Sequence, residues 1–171
     1  MDVEIADNDI SLAEVDVIVN AANGCGYHGG RCCARQWGRG VAESLNYYTG
    51  GKIEKEAKRK ARKYPHISAL FFGKKAGEIF ETGGHGLRCK TVLHAVTMRY
   101  PGSPSNYKTV EILLPKIFEY CKEKGAATVA LPLLGAGTGG LDGENIYKLI
   151  CSYVKNYADL KVFIYSNTGG G

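Results

Sequence analysis

Short apolar runs alternate along the chain with longer segments in which apolar residues recur every three or four positions. Runs of the first kind lie at residues 3–6, 15–20, 90–96, 128–133 and 161–165 and are typical of strands. The run at 15–20 is almost entirely apolar. Such continuity indicates a strand buried on both faces, as in the centre of a parallel sheet.

Helical periodicity occupies the intervals between these strands. Helices are predicted at residues 32–46, although two glycines interrupt that segment, at 106–124 and at 144–156. Pro115 falls inside the second of these, where it either kinks the helix or marks its first turn. The apolar face of that helix is predicted to comprise Ile112, Leu113, Ile117, Phe118 and Cys121. Alternating strands and helices predict an α/β fold, in which ligands bind at the carboxyl ends of the strands.

A densely charged segment, residues 52–63, is predicted to form one further helix. Ile53, Ala57 and Ala61 recur in it every four positions, which indicates an exposed helix with one narrow buried stripe. Such a helix can bind RNA phosphates without sequence preference. A solvated surface helix is the favoured alternative, because no aromatic side chains interleave with the charges to stack on bases.

Composition places few limits beyond these patterns. The chain has 171 residues, enough for one domain with a proper core, and it is 44% apolar with a net charge of +5. No apolar run is long enough to span a bilayer and no basic-then-apolar leader opens the chain, so a cytoplasmic setting is expected. The two ends are also compatible with excision from a larger polyprotein.

The cysteines do not form a metal-binding or disulfide pattern. No C-x-x-C pair occurs, and a domain of this size does not require disulfides, so reduced thiols are predicted. Cys25, His28, Cys32 and Cys33 suggest a metal site, but adjacent cysteines rarely both reach one tetrahedral ion and the spacing fits no structural zinc site. No metal and no cofactor are therefore expected.

Two glycine-bearing loops follow predicted strands. His28-Gly29-Gly30 comes after Asn20-Ala21-Ala22-Asn23, and the run from Gly135 to Gly140 comes after Leu134. Such loops point successive backbone N–H groups at one place without an intervening Cβ. Because both loops follow strands, they belong at the same edge of the sheet. Their convergence on one ligand suggests a diphosphate.

Neither loop matches a standard nucleotide-binding motif. A P-loop requires a lysine after its last glycine, whereas Leu141-Asp142 follows Gly140, which makes an NTPase improbable. Gly135-x-Gly137-x-x-Gly140 has the letters of the dinucleotide fingerprint. It lies late in the chain, however, and no strand with a ribose-binding acid follows at the expected distance.

In combination, the motifs resemble the macro domain family. Asn8-Asp9-Ile10-Ser11, residues 17–23, His28-Gly29-Gly30, residues 91–96 and residues 133–140 occur in that family's order, so the resemblance covers nearly the whole chain as one domain, residues 1–171. The spacing from Asn23 to His28 and the segment Gly84-His85-Gly86-Leu87 are most similar to macro domains from coronavirus-like and torovirus-like replicase polyproteins. That similarity implies a viral nonstructural protein in the host cytoplasm.

The resemblance implies a three-layer α/β/α fold with a central mixed, mainly parallel sheet. It also implies ADP-ribose as ligand and hydrolysis of mono-ADP-ribose from modified proteins, countering host ADP-ribosylation. Phosphatase activity on ADP-ribose-1″-phosphate is a lesser expectation. The alternatives are a non-catalytic reader of ADP-ribose or poly(ADP-ribose) and an RNA-binding module. A monomer is expected.

Individual roles follow from the same resemblance. Asp9 matches an acid that accepts a hydrogen bond from the adenine amino group, and Asn23 matches the asparagine that holds the distal ribose, although both are also common turn or cap residues. The catalytic residues implied are Asn23, His28 and Gly30. The implied ligand contacts are Asp9, Ile10, Ala21, Ala22, Asn23, Gly29, Gly30, Arg31, Leu134, Gly135, Ala136, Gly137, Thr138, Gly139, Gly140 and Asn167.

Some positions depart from the family pattern. Where the family continues its glycine run and follows it with Val, this chain has Arg31 and Cys32, and Arg31 could pair with a phosphate in a forked geometry. Cys33 lies where some cellular hydrolases carry an aspartate as general base. Viral relatives also lack that acid, and for them a water activated by the substrate's own phosphate is implied. His94 is expected to be buried and structural.

Overall fold

The computed structural model describes residues 2–29 and 40–166. Within them lie six strands, namely β1 (Asp2–Ala6), β2 (Val17–Asn23), β3 (Ile79–Gly83), β4 (Thr91–Met98), β5 (Thr128–Pro132) and β6 (Lys161–Tyr165). The α-helices are α1 (Val41–Tyr48), α2 (Lys52–Ala61), α3 (Ala69–Phe72), α4 (Tyr107–Glu123) and α5 (Gly143–Val154), and a 3₁₀ turn spans Ile10–Leu12.

The strands form one sheet in the order β1-β6-β5-β2-β4-β3. All neighbouring pairs are parallel except β3 and β4, which confirms a mixed, mainly parallel sheet. Strand β2 is central, since Val17 pairs with Thr91 of β4 on one side and with Val129 of β5 on the other. The edge strand β3 was not predicted from the sequence. It is short, with only Phe80 and Thr82 buried.

Both faces of the sheet are covered, which confirms the three-layer architecture. Successive residues of a strand point to opposite faces, so Val17 and Val19 of β2 join the core beneath α4 and α5, whereas Ile18 joins the core beneath α1 and α2. The first core includes Leu113, Leu114, Ile117 and Phe118 of α4 and Ile146, Ile150 and Val154 of α5. The second includes Leu45 of α1 and Ile53 of α2.

In two helices, the predicted apolar face can be compared directly with the residues that are buried. In α2, Ile53, Ala57 and Ala61 are fully buried, so the predicted stripe is confirmed. In α4, Pro115 lies inside the helix and Asn106 caps its start by accepting from the Thr109 N–H, so Pro115 does not mark the first turn. The placement of Ile112 on the apolar face was wrong. Ile112 is 42% exposed, and Leu114 is buried in the core beneath α4 and α5 instead.

The remaining predictions concern the first predicted helix and the thiols. Of the predicted helix at 32–46, the structure describes a portion within α1, and residues 30–39 lie outside the described part of the chain. The four cysteines that are described, Cys25, Cys89, Cys121 and Cys151, are not joined in disulfides. Burial raises the pKa of the Cys121 thiol to about 12, which keeps it protonated. No described helix is long and apolar enough to cross a membrane.

Candidate functional site

A cleft of about 470 Å³ opens at the carboxyl ends of the central strands. The end of β2 contributes Ala21, Ala22 and Asn23, the end of β4 contributes Thr97 and Met98, and the end of β5 contributes Pro132 and Leu133. In an open α/β sheet, the ends of parallel strands are where ligands bind. The cleft therefore lies where the alternation of strands and helices predicted it.

Two loops border this cleft, and they follow the adjacent strands β2 and β5. The first loop, residues 24–29, follows β2 and contributes Tyr27, His28 and Gly29, and the second loop, residues 133–142, follows β5 and contributes Gly135, Gly137, Thr138 and Gly139. Pro101 and Gly102, which follow β4, also line the cleft. The predicted convergence of the two glycine-bearing segments on one site is confirmed for these residues.

Asn23 closes the first loop through its side chain. Its Nδ2 donates to the carbonyl of Tyr27 at 2.8 Å, and its Oδ1 accepts from the backbone N–H groups of Cys25 and Tyr27, both at 3.1 Å. The turn role that was weighed as the alternative is thus the one seen in this geometry. Asn23 also lines the cleft, where its predicted contact with a distal ribose stays a prediction.

His28 anchors the same loop in a buried polar network. The Asn20 amide Nδ2 lies 3.1 Å from both His28 Nε2 and His94 Nδ1. His28 Nδ1 contacts the Gly26 carbonyl at 3.1 Å, and His94 Nε2 contacts Thr82 Oγ1 at 2.9 Å. Because a carbonyl can only accept, His28 carries its proton on Nδ1, and its Nε2 accepts from the Asn20 amide.

Electrostatics keep both of these imidazoles neutral. Burial lowers the pKa of His28 to about 4, although the Gly26 carbonyl and the Glu54 carboxylate act in the opposite direction. Burial also holds the pKa of His94 well below its ordinary value. His94 is fully buried, as expected. His28 is buried as well, with a relative exposure of only 1%.

These bonds give His28 a positioning role. Both of its ring nitrogens are engaged within the protein, and its predicted catalytic role stays a prediction. Its backbone N–H donates to Glu54 Oε2 at 2.7 Å, and Lys58 pairs with Glu54 Oε1 at 2.6 Å, which fixes the loop against α2. Asn20 supports the same loop from β2 through its contacts with the two imidazoles.

The second loop is shaped by the absence of side chains. A Cβ added at Gly139 would lie 2.5 Å from the Gly135 carbonyl oxygen and 2.5 Å from Ser105 Oγ, and one added at Gly135 would lie 2.9 Å from Leu141 Cδ1. Gly135 also has φ +78, a conformation that only glycine adopts readily. The loop ends at Asp142, which caps α5 by accepting from the Asn145 N–H at 2.8 Å.

Asp9 is a cap residue in the structure. Its carboxylate accepts from the Ser11 N–H at 2.9 Å, from the Ser11 hydroxyl and from the Ser44 hydroxyl of α1. Asp9 therefore begins the 3₁₀ turn, as the alternative interpretation held, and fastens it to the helix whose first turn borders the cleft. Its contact with adenine stays a prediction.

The predicted ligand residues divide into three groups. Those lining the cleft are Ala21, Ala22, Asn23, His28, Gly29, Gly135, Gly137, Thr138 and Gly139. Those described but outside the lining are Asp9, Ile10, Leu134, Ala136 and Gly140. Those outside the described residues are Gly30, Arg31 and Asn167, together with Cys32 and Cys33.

One part of the lining was missed from the sequence. Gly40, Val41, Ala42 and Glu43, at the start of α1, all border the cleft. The available signal was a glycine followed by Val, which Gly40 and Val41 supply.

The described part of the chain contains no group of side chains suited to bind a metal ion. No three or more His, Cys, Asp or Glu side chains within residues 2–29 and 40–166 are grouped so as to hold a metal ion. Of the four residues that suggested a metal site, Cys32 and Cys33 lie outside those ranges.

Comparison with known proteins bears on both the fold and the family. The macro domain family model matches residues 19–150. An uncharacterized protein of Aquifex aeolicus is 31% identical over 157 residues, which cover 92% of this chain and 83% of that protein. The macrodomain of Mycobacterium tuberculosis DarG superposes with a TM-score of 0.78 at 21% identity, over 95% of this chain and 96% of that one.

A Trypanosoma brucei macrodomain solved in complex with ADP-ribose superposes with a TM-score of 0.69 at 19% identity, over 95% of this chain and 62% of that one. Sequence relatives such as the Aquifex protein and a Sulfurisphaera tokodaii protein are bacterial and archaeal. They give no support to the predicted viral subtype.

Proposed function

Because this chain belongs to the macro domain family, we propose that its cleft binds ADP-ribose and that the chain hydrolyses mono-ADP-ribose from modified proteins. The observation that carries this proposal is the convergence of the two loops on one cleft at the ends of β2 and β5. A neighbour of the same fold, the T. brucei macrodomain, was solved with ADP-ribose bound.

The second loop suits the diphosphate of this ligand. Its glycines carry no side chains to keep a ligand from the backbone, and it leads into the N-terminus of α5, a helix of 12 residues. A helix N-terminus stabilises a nearby anion by about 0.3–1 kcal/mol at an exposed site. The tight contacts of Gly135 and Gly139 hold these groups in place before the ligand arrives. A diphosphate would then bind without reordering the loop.

The first loop is assigned to the distal ribose, where the reaction occurs. A water attacks the anomeric carbon, the bond from that carbon to the protein carboxylate oxygen breaks, and the proton of the water passes to a phosphate oxygen of the ligand. The products are free ADP-ribose and the restored carboxyl group. Asn23 and the backbone of Tyr27 to Gly29 would position the ribose, and catalysis would rest on that positioning.

A release assay tests this proposal. The substrate is a protein mono-ADP-ribosylated on acidic side chains, and the wild-type chain is expected to release ADP-ribose. Gly139→Ala is expected to abolish most of the release because its Cβ would displace the second loop. The matched control is Gly83→Ala, where an added Cβ meets only Glu56 Oε2 at 4.0 Å.

Glu43 is the candidate general base if the protein, rather than the substrate, activates the water. It is the one carboxylate among the described residues that line the cleft. We assign water activation to the substrate phosphate, so Glu43→Gln is expected to change the release rate by no more than about twofold. A general base contributes about 10²–10⁴ to a rate. A loss of that size would transfer the role to Glu43.

A reader of ADP-ribose that does not cleave it is the second candidate. It is favoured by one observation, namely that the Asn23 amide and both His28 ring nitrogens are already engaged. Tight binding of ADP-ribose by the wild-type chain with no release from the modified protein would establish the reader. Release that Gly139→Ala abolishes would exclude it.

A further inference from the structure

Exposed aromatic and basic side chains form a surface beside the cleft, and Tyr27 is the one member of this surface that also lines the cleft. We define this aromatic–basic surface by Tyr27, Tyr64, Phe71, Phe72 and Tyr100, with Lys58, Arg62, Lys63 and Arg99. Phe71 is 70% exposed and Phe72 is 50% exposed, and each of the three tyrosines is more than 40% exposed. Large rings are rarely left in water in such a group without a partner.

Contacts in the structure join these residues into one patch. Lys63 N–H donates to the Phe72 carbonyl at 2.9 Å, and the Tyr64 and Phe72 rings meet edge to face with centroids 5.7 Å apart. Arg99 Nη2 donates to the Phe71 carbonyl at 3.2 Å. The Gly24 N–H donates to the Arg99 carbonyl at 3.1 Å, which ties the patch to the first loop.

Positive charge is concentrated in the segment that supplies most of this surface. Residues 58–75 contain seven Lys and Arg residues and no Asp or Glu, although the whole chain has a net charge of only +5. Several of these cations are paired, such as Lys58 with Glu54 and Lys60 with Glu56. Arg62 and Lys63 form no ion pair with any residue that the structure describes. The surface therefore offers cations to an anionic partner.

Each exposed tyrosine in the patch has a cation beside its ring. Lys58 Nζ lies 5.0 Å from the Tyr27 centroid, Lys63 Nζ lies 5.8 Å from that of Tyr64, and the Arg99 guanidinium lies 4.8 Å from that of Tyr100. Rings that stack on bases, set among cations that bind the linking phosphates, are how proteins hold single-stranded nucleic acid. The absence of aromatic residues within 52–63 had argued against this function, and the fold supplies them from neighbouring segments.

We propose that the aromatic–basic surface binds single-stranded nucleic acid, DNA or RNA, next to the ADP-ribose cleft, whose lining it shares only at Tyr27. The repeated pairing of ring and cation favours this ligand over a lipid surface, which would be met by a continuous apolar face with cations at its border. The rings also come from three separate segments, around Tyr27, from Tyr64 to Phe72, and at Tyr100. That spacing suits successive bases along a strand.

Fluorescence anisotropy with labelled oligonucleotides of about 12 nucleotides tests the proposal, a length within the site sizes of such proteins. The probes are oligothymidylate, oligouridylate and a DNA duplex of the same length. The wild-type chain is expected to bind the single strands more tightly than the duplex. Binding of either strand supports the proposal, and the ratio of the two affinities identifies the natural strand type. Excess ADP-ribose is expected to leave the complex intact.

Two sets of variants separate the rings from the charges. Tyr64→Ala and Phe71→Ala are each expected to weaken binding at least about fivefold, since each removes a stacking ring. Replacing Arg62 and Lys63 together by Ala is expected to reduce the dependence of log affinity on log salt by about 1.4 for a single strand. Matched controls are Tyr48→Ala, 47% exposed on α1, and Lys122→Ala on α4, neither of which should change the affinity.

Three results would overturn the proposal. They are no binding of either single strand at low salt, equal binding by the aromatic variants and the wild-type chain, and displacement of the oligonucleotide by ADP-ribose. Sedimentation with vesicles of phosphatidylserine and phosphatidylcholine supplies the remaining comparison. Vesicle binding that requires Phe71, without oligonucleotide binding, would assign the surface to lipid. Thermal unfolding of each variant confirms that it folds.

Discussion

The two loops that border the cleft are held in shape by opposite means. The first loop depends on side chains, because Asn23, His28 and the buried Asn20 form its hydrogen bonds. The second loop depends on having none, because Gly135 and Gly139 pack where a Cβ would overlap the backbone or Ser105. The first loop should therefore be sensitive to the loss of polar groups and to pH, and the second to any added atom.

This difference matches the parts of the ligand that each loop is proposed to meet. A diphosphate is bound by backbone N–H groups and a helix N-terminus, which call for close approach and no side chains. A ribose with a reacting carbon must be held in one orientation, which rigid, fully hydrogen-bonded side chains can achieve. The predictions below separate the two modes, beginning with the largest expected effect.

Asn20→Ala, in β2 beneath the first loop, should destabilise the fold more than the substitutions proposed in either loop. It leaves His28 Nε2 and His94 Nδ1 buried without a donor, at about 1–3 kcal/mol each. The Asn20 Oδ1, which has no partner among the described residues, is removed as well and offsets part of this. We expect a net loss of about 2–4 kcal/mol in the free energy of unfolding by urea. Asn156→Ala, at an exposed site, serves as the control.

Gly139→Ala should weaken ADP-ribose binding and also lower the stability of the fold, because its Cβ would overlap the Gly135 carbonyl and Ser105. Overpacking of this kind typically costs about 1–3 kcal/mol, and here the strain falls on the loop that would hold the diphosphate. We expect affinity to fall about tenfold or more in calorimetry. Unchanged affinity, with the same change in Gly83 as reference, would show that the second loop does not contact the ligand.

Acidification should act through the first loop. The pKa of His28 is lowered from 6.5 to about 4 by burial, so below pH 6.5 the unfolded chain takes up a proton that the folded chain refuses. Stability is therefore complete above pH 6.5 and is lost as the pH falls toward about 4. Between pH 7 and pH 5, His28 alone accounts for a loss of about 2 kcal/mol.

Denaturant unfolding at the two pH values measures this loss. Asp16 and Glu56 have lowered pKa values of about 2, so their contributions are lost mainly below this window. His28→Gln should reduce the dependence and leave the share of His94, whose pKa burial also lowers, whereas His66→Gln, at an exposed position, is the matched control. An equal slope in all three proteins would contradict the network as described.

Thr138→Ala should have the smallest effect. Thr138 lines the cleft but is exposed, and the second loop is proposed to act through its backbone. Surface substitutions of this kind usually change stability by less than about 0.5 kcal/mol. We expect ADP-ribose affinity within about twofold of wild type. A tenfold loss would show that a side chain of this loop also binds the ligand.

The sequence was informative where the evidence is local. Apolar runs located five of the six strands, and the glycines after two of them located the loops that line the cleft. It was uninformative where partners are distant. Asn20 and His94 are 74 positions apart, so the network that holds His28 could not be recognised from spacing. Asp9 and Ser44 are 35 positions apart, which concealed the bond between the 3₁₀ turn and α1.

Two further omissions have the same physical origin. Gly40 to Glu43 border the cleft, but they begin eleven positions after Gly29, so no motif in the sequence joined them to the first loop. The helix at 52–63 contains no aromatic residue, and only the fold brings Tyr64, Phe71 and Tyr100 alongside it. Periodicity predicts elements, whereas surfaces that several segments share depend on tertiary packing.

Calorimetric titration of ADP-ribose into the wild-type chain, with adenosine monophosphate titrated in parallel, tests the central claim most directly. The convergence of the two loops on a diphosphate predicts one saturable site for ADP-ribose and much weaker binding of adenosine monophosphate, which lacks the second phosphate and the distal ribose. The absence of any saturable binding, or equal affinities for the two ligands, would contradict it.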